Sequence, residues 1–112
     1  MASALAVAGT FLLTAAFFSI TLHVSVRWVL GKVPAENAFL AGPIAAAAVF
    51  ALELAGLPAA AVLVGATLTD FIAIRGVYDL GSRRAVLLTI VHVVITIALA
   101  FALVNLWLIL IT

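Results

Sequence analysis

Residues 1–26 contain no Asp, Glu, Lys or Arg, and residues 85–112 contain none either. Between those runs, charges gather at Arg27, Lys32 and Glu36, and again at Arg75, Asp79, Arg83 and Arg84. Glu53 and Asp70 each interrupt an otherwise apolar stretch. A helix that crosses a bilayer needs about 20 mostly apolar residues, since each adds roughly 1.5 Å across a hydrocarbon core of about 30 Å. The runs predict four transmembrane helices, at about residues 3–29, 35–55, 58–78 and 83–111. The expected fold is an all-α membrane protein, a single transmembrane domain over residues 1–112 built as an up-down four-helix bundle. Two spanning helices with a long re-entrant centre are the alternative. Period-two alternation is missing, which excludes a β-barrel.

Local signals mark the breaks. The first run lacks a basic leading region and is longer than the apolar part of a signal peptide, so it reads as a helix rather than a leader. Gly31 and Pro34 break the first connection, and Pro34 suits the opening turn of the second helix. Glu36 would then face the positive end of that helix's dipole. Gly42-Pro43 predicts a kink, and Gly56-Leu57-Pro58 a short break between helices. Gly81 reads as the stop of the third helix and Ser82 as the N-cap of the fourth. The first and last segments exceed the minimum span, which predicts tilt.

Composition agrees with this segmentation. Hydrophobic residues make up 69% of the chain and charged residues 8%, with a mean hydropathy of +1.49. A soluble domain is nearer half apolar and a quarter charged. An ordinary globular domain and a disordered chain are both excluded. The absence of Cys removes disulfides, thiolate catalysis and thiolate metal sites. A net charge of +1 gives no reason to expect a nucleic-acid partner. The expected partner is the lipid bilayer, with a homo-oligomer or a larger membrane complex as further options.

Charge placement predicts orientation. Arg27 and Lys32 fall in the first connection, and Arg75, Arg83 and Arg84 surround the third. With four helices, these connections share one side, so all five Lys and Arg residues lie on one face. The positive-inside rule places that face in the cytoplasm and both termini outside, in a multi-pass cell-membrane protein. Trp28 and Trp107 lie near opposite ends, as interfacial anchors do. Some very small four-helix transporters and channels insert in both orientations and need a weak charge bias. The complete bias here disfavours a dual-topology exporter or a fluoride-type channel, and the first helix lacks the embedded acid such an exporter needs.

Helices in lipid associate by close packing and polar contacts. Ala38, Gly42 and Ala46 form a small-residue ridge on the second helix, and Ala61, Gly65, Thr69 and Ala73 form one on the third. The short turn between them predicts that these ridges meet in an antiparallel hairpin. Simple abundance of Ala is the competing explanation.

Polar residues within the spans carry the candidate chemistry, because burying ionisable groups in a bilayer is costly. Asp70 precedes Arg75, and His92 shares a helical face with Thr89 and Thr96. His23 lies in a Ser19, His23, Arg27 stripe. Measured from the basic ends, all three ionisable residues lie about 6–11 Å deep at the helical rise. A cluster of His23, Asp70 and His92 is therefore allowed, as a proton or cation site or as interhelical hydrogen bonding that holds the bundle together. The spacing matches no recognised metal-ligand motif, and no metal or other cofactor is assigned. Glu53 near the outer end of the second helix is expected to reach water. Asn105 is expected to bond at the interface, and Asp79 and Arg83 to form a solvated i, i+4 pair. Thr10, Thr14 and Thr21 are expected to bond back to their own helix.

Two stretches carry a resemblance: Thr21 to Gly31 (TLHVSVRWVLG), and Asp70 to Tyr78 (DFIAIRGVY) followed by an Arg-rich turn and Val91-His92. In this pattern the chain resembles a family of small, uncharacterised four-helix integral membrane proteins of haloarchaea. The resemblance spans nearly the whole chain through short motifs. It implies a four-helix bundle in the plasma membrane and carries over no activity.

No hydrolase, nucleotide-binding or paired-carboxylate motif is present, so an enzyme is not expected. The leading expectation is a non-enzymatic structural or accessory subunit, in a homo-oligomer or a larger complex. The alternative is a small transporter or channel for protons or cations that uses the His/Asp cluster in the cytoplasmic half. Polar groups concentrate toward the basic half, while the outer half is mostly Ala, Leu, Val and Ile, which favours the accessory reading.

Overall fold

In the computed structural model, which describes residues 3–112, four helices follow one another: α1 Ala4–Val29, α2 Glu36–Leu54, α3 Ala59–Val77 and α4 Ser82–Ile111. Each is long and apolar enough to cross a membrane. In lipid the backbone must satisfy its own hydrogen bonds, so apolar runs of this length become helices. The chain is a multi-pass integral membrane protein with an all-α, four-helix fold.

The helix ends differ in detail from the expected signals. Ser3 caps α1 by accepting a hydrogen bond from the Ala6 amide at 3.0 Å. Pro34 lies ahead of α2 rather than in its first turn, and α2 begins at Glu36. Gly56, at φ 78°, ends α2, and the Leu57 amide reaches back to the Leu52 carbonyl at 3.3 Å. The third helix ends the same way without glycine. Asp79 takes φ 51°, and the Leu80 amide donates to the Arg75 carbonyl at 3.1 Å. A left-handed residue followed by this six-to-one bond is the Schellman stop, and the short side chain of Asp tolerates that conformation better than most. Gly81 is consequently the N-cap of α4, and Ser82 its first residue. The turn also breaks the expected Asp79–Arg83 pairing, because helical i, i+4 spacing does not run through a left-handed residue. The acid–base contact at salt-bridge distance found among the described residues is Asp70 with His92.

Packing is cyclic: α1 lies against α2, α2 against α3, α3 against α4, and α4 against α1. Leu22, Val26, Ala38, Ala41, Ala73, Ile74 and Leu88 form the buried core, with Val29, Leu30, Val77, Tyr78 and Leu80 packed on it. All of these belong to the half of the bundle that carries the basic residues. On the other half α4, at 30 residues, outruns the 19-residue α2 and α3, and every residue from Phe101 to Thr112 is exposed. The bundle is therefore tight at its basic end and open toward its neutral end.

The two small-residue ridges do not meet each other. A Cβ on Gly42 would lie 2.7 Å from the Ser19 backbone nitrogen and 2.8 Å from its Cα. The α2 ridge therefore holds α2 against α1, not α3. A Cβ on Gly65 would meet Leu52 Cδ1 at 2.5 Å, so the α3 ridge does face α2, but against a leucine side chain.

Candidate functional site

Three helices each bring one polar side chain to the same buried point. On α3, Asp70 continues a face that begins with Val62 and Ala66 and passes on to Ala73 and Ile74. On α4, His92 shares its face with Ala85, Leu88 and Thr96. On α1, Thr21 lies between the buried residues Ser19, Leu22 and Ser25. His92 Nδ1 lies 2.6 Å from Asp70 Oδ2, and His92 Nε2 lies 2.8 Å from Thr21 Oγ1. The Thr96 hydroxyl donates to Thr21 Oγ1 at 3.2 Å. Asp70 and His92 are 5% and 3% exposed, too little for water to solvate either one. From the ends of α3, Asp70 is about 10 Å above Val77 and about 16 Å below Ala59 at the helical rise.

The hydroxyl proton of Thr21 makes this network adaptable. Thr21 also lies 3.0 Å from the Phe18 carbonyl, to which it can donate. When it does, Nε2 of His92 is the donor to Thr21, and a further proton lies between His92 Nδ1 and Asp70 Oδ2. When His92 is neutral with its proton on Nδ1, the Thr21 hydroxyl turns and donates to Nε2 instead. Two protonation states thus share one heavy-atom geometry and differ by the rotation of a single O–H. A threonine hydroxyl is suited to this, being donor and acceptor together.

The other carboxylate oxygen, Asp70 Oδ1, is buried without a hydrogen-bond partner. A cavity of about 580 Å³ abuts the pair, lined by Asp70, His92, Thr67 and Thr96 among apolar side chains, with Glu53 and Leu57 toward its far end. It lies among α2, α3 and α4 and runs from the pair toward Glu53 and Leu57 at the neutral end of the bundle. On the opposite side of the pair lies the apolar core of Leu22, Val26, Ile74 and Leu88.

A family profile matches the sequence over residues 1–112. The chain belongs to DUF7473, a family of unknown function. No curated protein and no solved structure matches it.

Of the three site residues expected in this DUF7473 protein, Asp70 and His92 come together and His23 does not join them. His23 follows Thr21 by two residues and so points about 200° around α1. Its Nδ1 is buried without a partner, and no group of three His, Asp or Glu able to hold a metal ion occurs among the described residues. Thr21 occupies the place expected of His23. As expected, its hydroxyl bonds back to its own helix, but it also bonds across to His92. Thr89 donates to the Ala85 carbonyl at 2.7 Å and stays outside the network. Thr10, Thr14 and Asn105 likewise bond within their own helices. Glu53 is exposed, at the end of the cavity away from the pair. The signal that could have singled out Thr21 is angular: it shares a face with Ser25 one turn later, and Ser25 is also fully buried.

Proposed function

We propose that this protein is a small membrane transporter in which the Asp70–His92 pair takes up and releases a proton, with Thr21 and Thr96 as the adjusting hydroxyls. The observation that carries this reading is the buried pair at the closed end of a cavity, with Asp70 Oδ1 left unpartnered beside it. A purely structural contact between two helices needs one hydrogen bond and is better served by neutral partners. An ionisable pair at this depth is expensive, and intramembrane Asp and His residues characteristically mark proton and ion paths. Histidine changes charge near neutral pH, which suits it to the task. The role requires no bond-breaking chemistry beyond proton transfer, so it is not an enzymatic one.

The reading includes sidedness. With the basic connections in the cytoplasm and both termini outside, the cavity faces outward and the apolar core forms the inner barrier. Residence in the plasma membrane and a haloarchaeal source are implied by the sequence resemblance alone. The decisive experiment is proton flux in reconstituted vesicles for wild type and Asp70→Asn, with detergent stability measured on both. Flux in the wild type that is lost in Asp70→Asn while the fold survives supports the proposal; no flux in the wild type sinks it.

A structural subunit of a homo-oligomer or complex is the second reading. The long apolar end of α4, exposed from Phe101 to Ile111, favours it, since nothing among the described residues covers that stretch. Identification of what co-purifies from the native membrane in mild detergent tests it.

A further inference from the structure

We propose that the cavity beside Asp70 binds an organic ammonium ion with an apolar body, exchanged for a proton of the Asp70–His92 pair; this rests on the proton-exchange reading above. The cavity volume of about 580 Å³ falls in the range of small-molecule sites, about 300–1,000 Å³. Phe18, Val49, Val62, Leu63, Val93 and Ile97 supply an apolar wall, which selects a ligand with a hydrocarbon or aromatic body. The polar features are those of a cation site. Two carboxylates, Asp70 and Glu53, line the cavity, and no Lys or Arg does.

Asp70 Oδ1 supplies the specific contact once the carboxylate turns toward the cavity that Asp70 lines, since the atom itself is shut off from solvent. It is an acceptor buried without a donor, and a charged group left so bears its desolvation cost without compensation. An ammonium N–H is the donor it lacks, and charge-assisted bonds of this kind are the strong ones. A lipid acyl chain fills the apolar wall equally well but leaves Oδ1 unpartnered.

Charge balance gives the coupling. With imidazolium and carboxylate paired, the site is neutral. An entering ammonium would place two cations against one carboxylate in a poorly solvating interior. Loss of the imidazolium proton restores neutrality: the Nδ1 proton stays on the bond to Asp70, Nε2 gives up the other, and Thr21 turns its hydroxyl to Nε2. One ammonium enters for one proton released. The groups lining the path are Thr67, Thr96 and, at the far end, Glu53; from α1 the pair meets Thr21, while His23 points away.

The test is calorimetric titration of the full chain in detergent with 2-phenylethylammonium, and with 2-phenylethanol as the neutral isostere. The wild type is expected to prefer the ammonium by about tenfold or more, the effect of one charge-assisted hydrogen bond. Heats in buffers of different ionisation enthalpy are expected to report about one proton released for each ammonium bound, as the neutral pair requires. Asp70→Asn is expected to abolish the preference, and Glu53→Gln to weaken ammonium binding at the mouth. Ala66→Phe, which fills the cavity from α3 and leaves the pair intact, is expected to remove binding of both probes. Equal affinity for the two probes, a preference that survives Asp70→Asn, or binding unaffected by Ala66→Phe would each overturn the proposal. Proton flux without ammonium preference removes the cargo assignment and keeps the relay. Ammonium preference without proton release or flux overturns the coupling and the relay together.

Discussion

Gly42→Ala adds one methyl group where α2 comes closest to α1. The new Cβ would overlap Ser19 Oγ and lie 2.7 Å from its nitrogen and 2.8 Å from its Cα. The hydroxyl can rotate aside at the loss of its 2.7 Å bond to the Ala15 carbonyl. The backbone atoms cannot, so the helices must separate by roughly 0.7 Å or more to regain a contact distance of about 3.5 Å. That movement loosens the surrounding contacts of Ala38, Ala41, Ala45 and Ala46, all buried at 3% exposure or less. Overpacking of this kind costs about 1–3 kcal/mol, and Ala recovers up to about 1 kcal/mol over Gly in a helix interior. The net expectation is a loss of about 0–2 kcal/mol, which is about 1–3 kcal/mol below a Gly→Ala change that gains the propensity alone. Gly9→Ala is the matched control, because a Cβ there meets nothing within 4 Å, and it should be neutral or stabilising. Thermal unfolding in mild detergent, followed by loss of the monodisperse species, measures both variants. A Gly42→Ala protein as stable as the Gly9→Ala protein would refute the assignment of this ridge to the α1–α2 interface. Adding Ser19→Ala should not rescue the variant, since two of the three short contacts are to backbone.

Thr21→Val keeps the shape of the side chain but removes the hydroxyl shared by His92 and Thr96. A stability loss of about 1–3 kcal/mol is expected together with slowed proton flux, while Thr21→Ser should restore both; an unchanged valine variant in the two assays contradicts the network. Gly65→Ala should cost little, because the short contact is to the mobile end of Leu52. Gly65→Leu should cost about 1–3 kcal/mol by forcing α2 and α3 apart, and undiminished melting would place Gly65 toward lipid. Asp70→Leu should destabilise more than Asp70→Asn, since it leaves His92 Nδ1 without an acceptor; equal melting temperatures would mean the pair contributes nothing to the fold. Sidedness is open to single-cysteine labelling at Ser82 and Thr112, both exposed, with no native Cys to interfere. Opposite accessibility is expected, and labelling of each position from both sides would indicate dual insertion.

The site was partly legible before the fold. Asp70 and His92 stood out because each is an ionisable residue inside an apolar run, and bilayer energetics make such residues conspicuous. Depth along each helix followed from the rise per residue, and it placed His23 at a comparable level. Depth does not fix the angle about the helix axis. In a soluble helix the apolar stripe reveals that angle, but α1 is apolar nearly all round, so hydrophobicity cannot tell its core face from its lipid face. That is why Thr21, rotated about 200° from His23, reached His92 unannounced. The α2 ridge followed the same rule. Its existence could be read from Ala38, Gly42 and Ala46, but its partner helix could not.

The sequence by itself determined the number of helices, their limits to within a few residues, the membrane environment and the concentration of basic residues at one end. These are one-dimensional properties, set by run length, by charge and by the backbone's need to satisfy its own hydrogen bonds in lipid. Tertiary structure alone decided which faces meet, that Asp79 rather than Gly81 ends α3, and that side chains of α2, α3 and α4 enclose a cavity against Asp70 and His92. Those outcomes depend on rotations about helix axes and on close approaches such as Ser19 to Gly42. Small residues permit such an approach wherever they occur, and only the assembled bundle selects one.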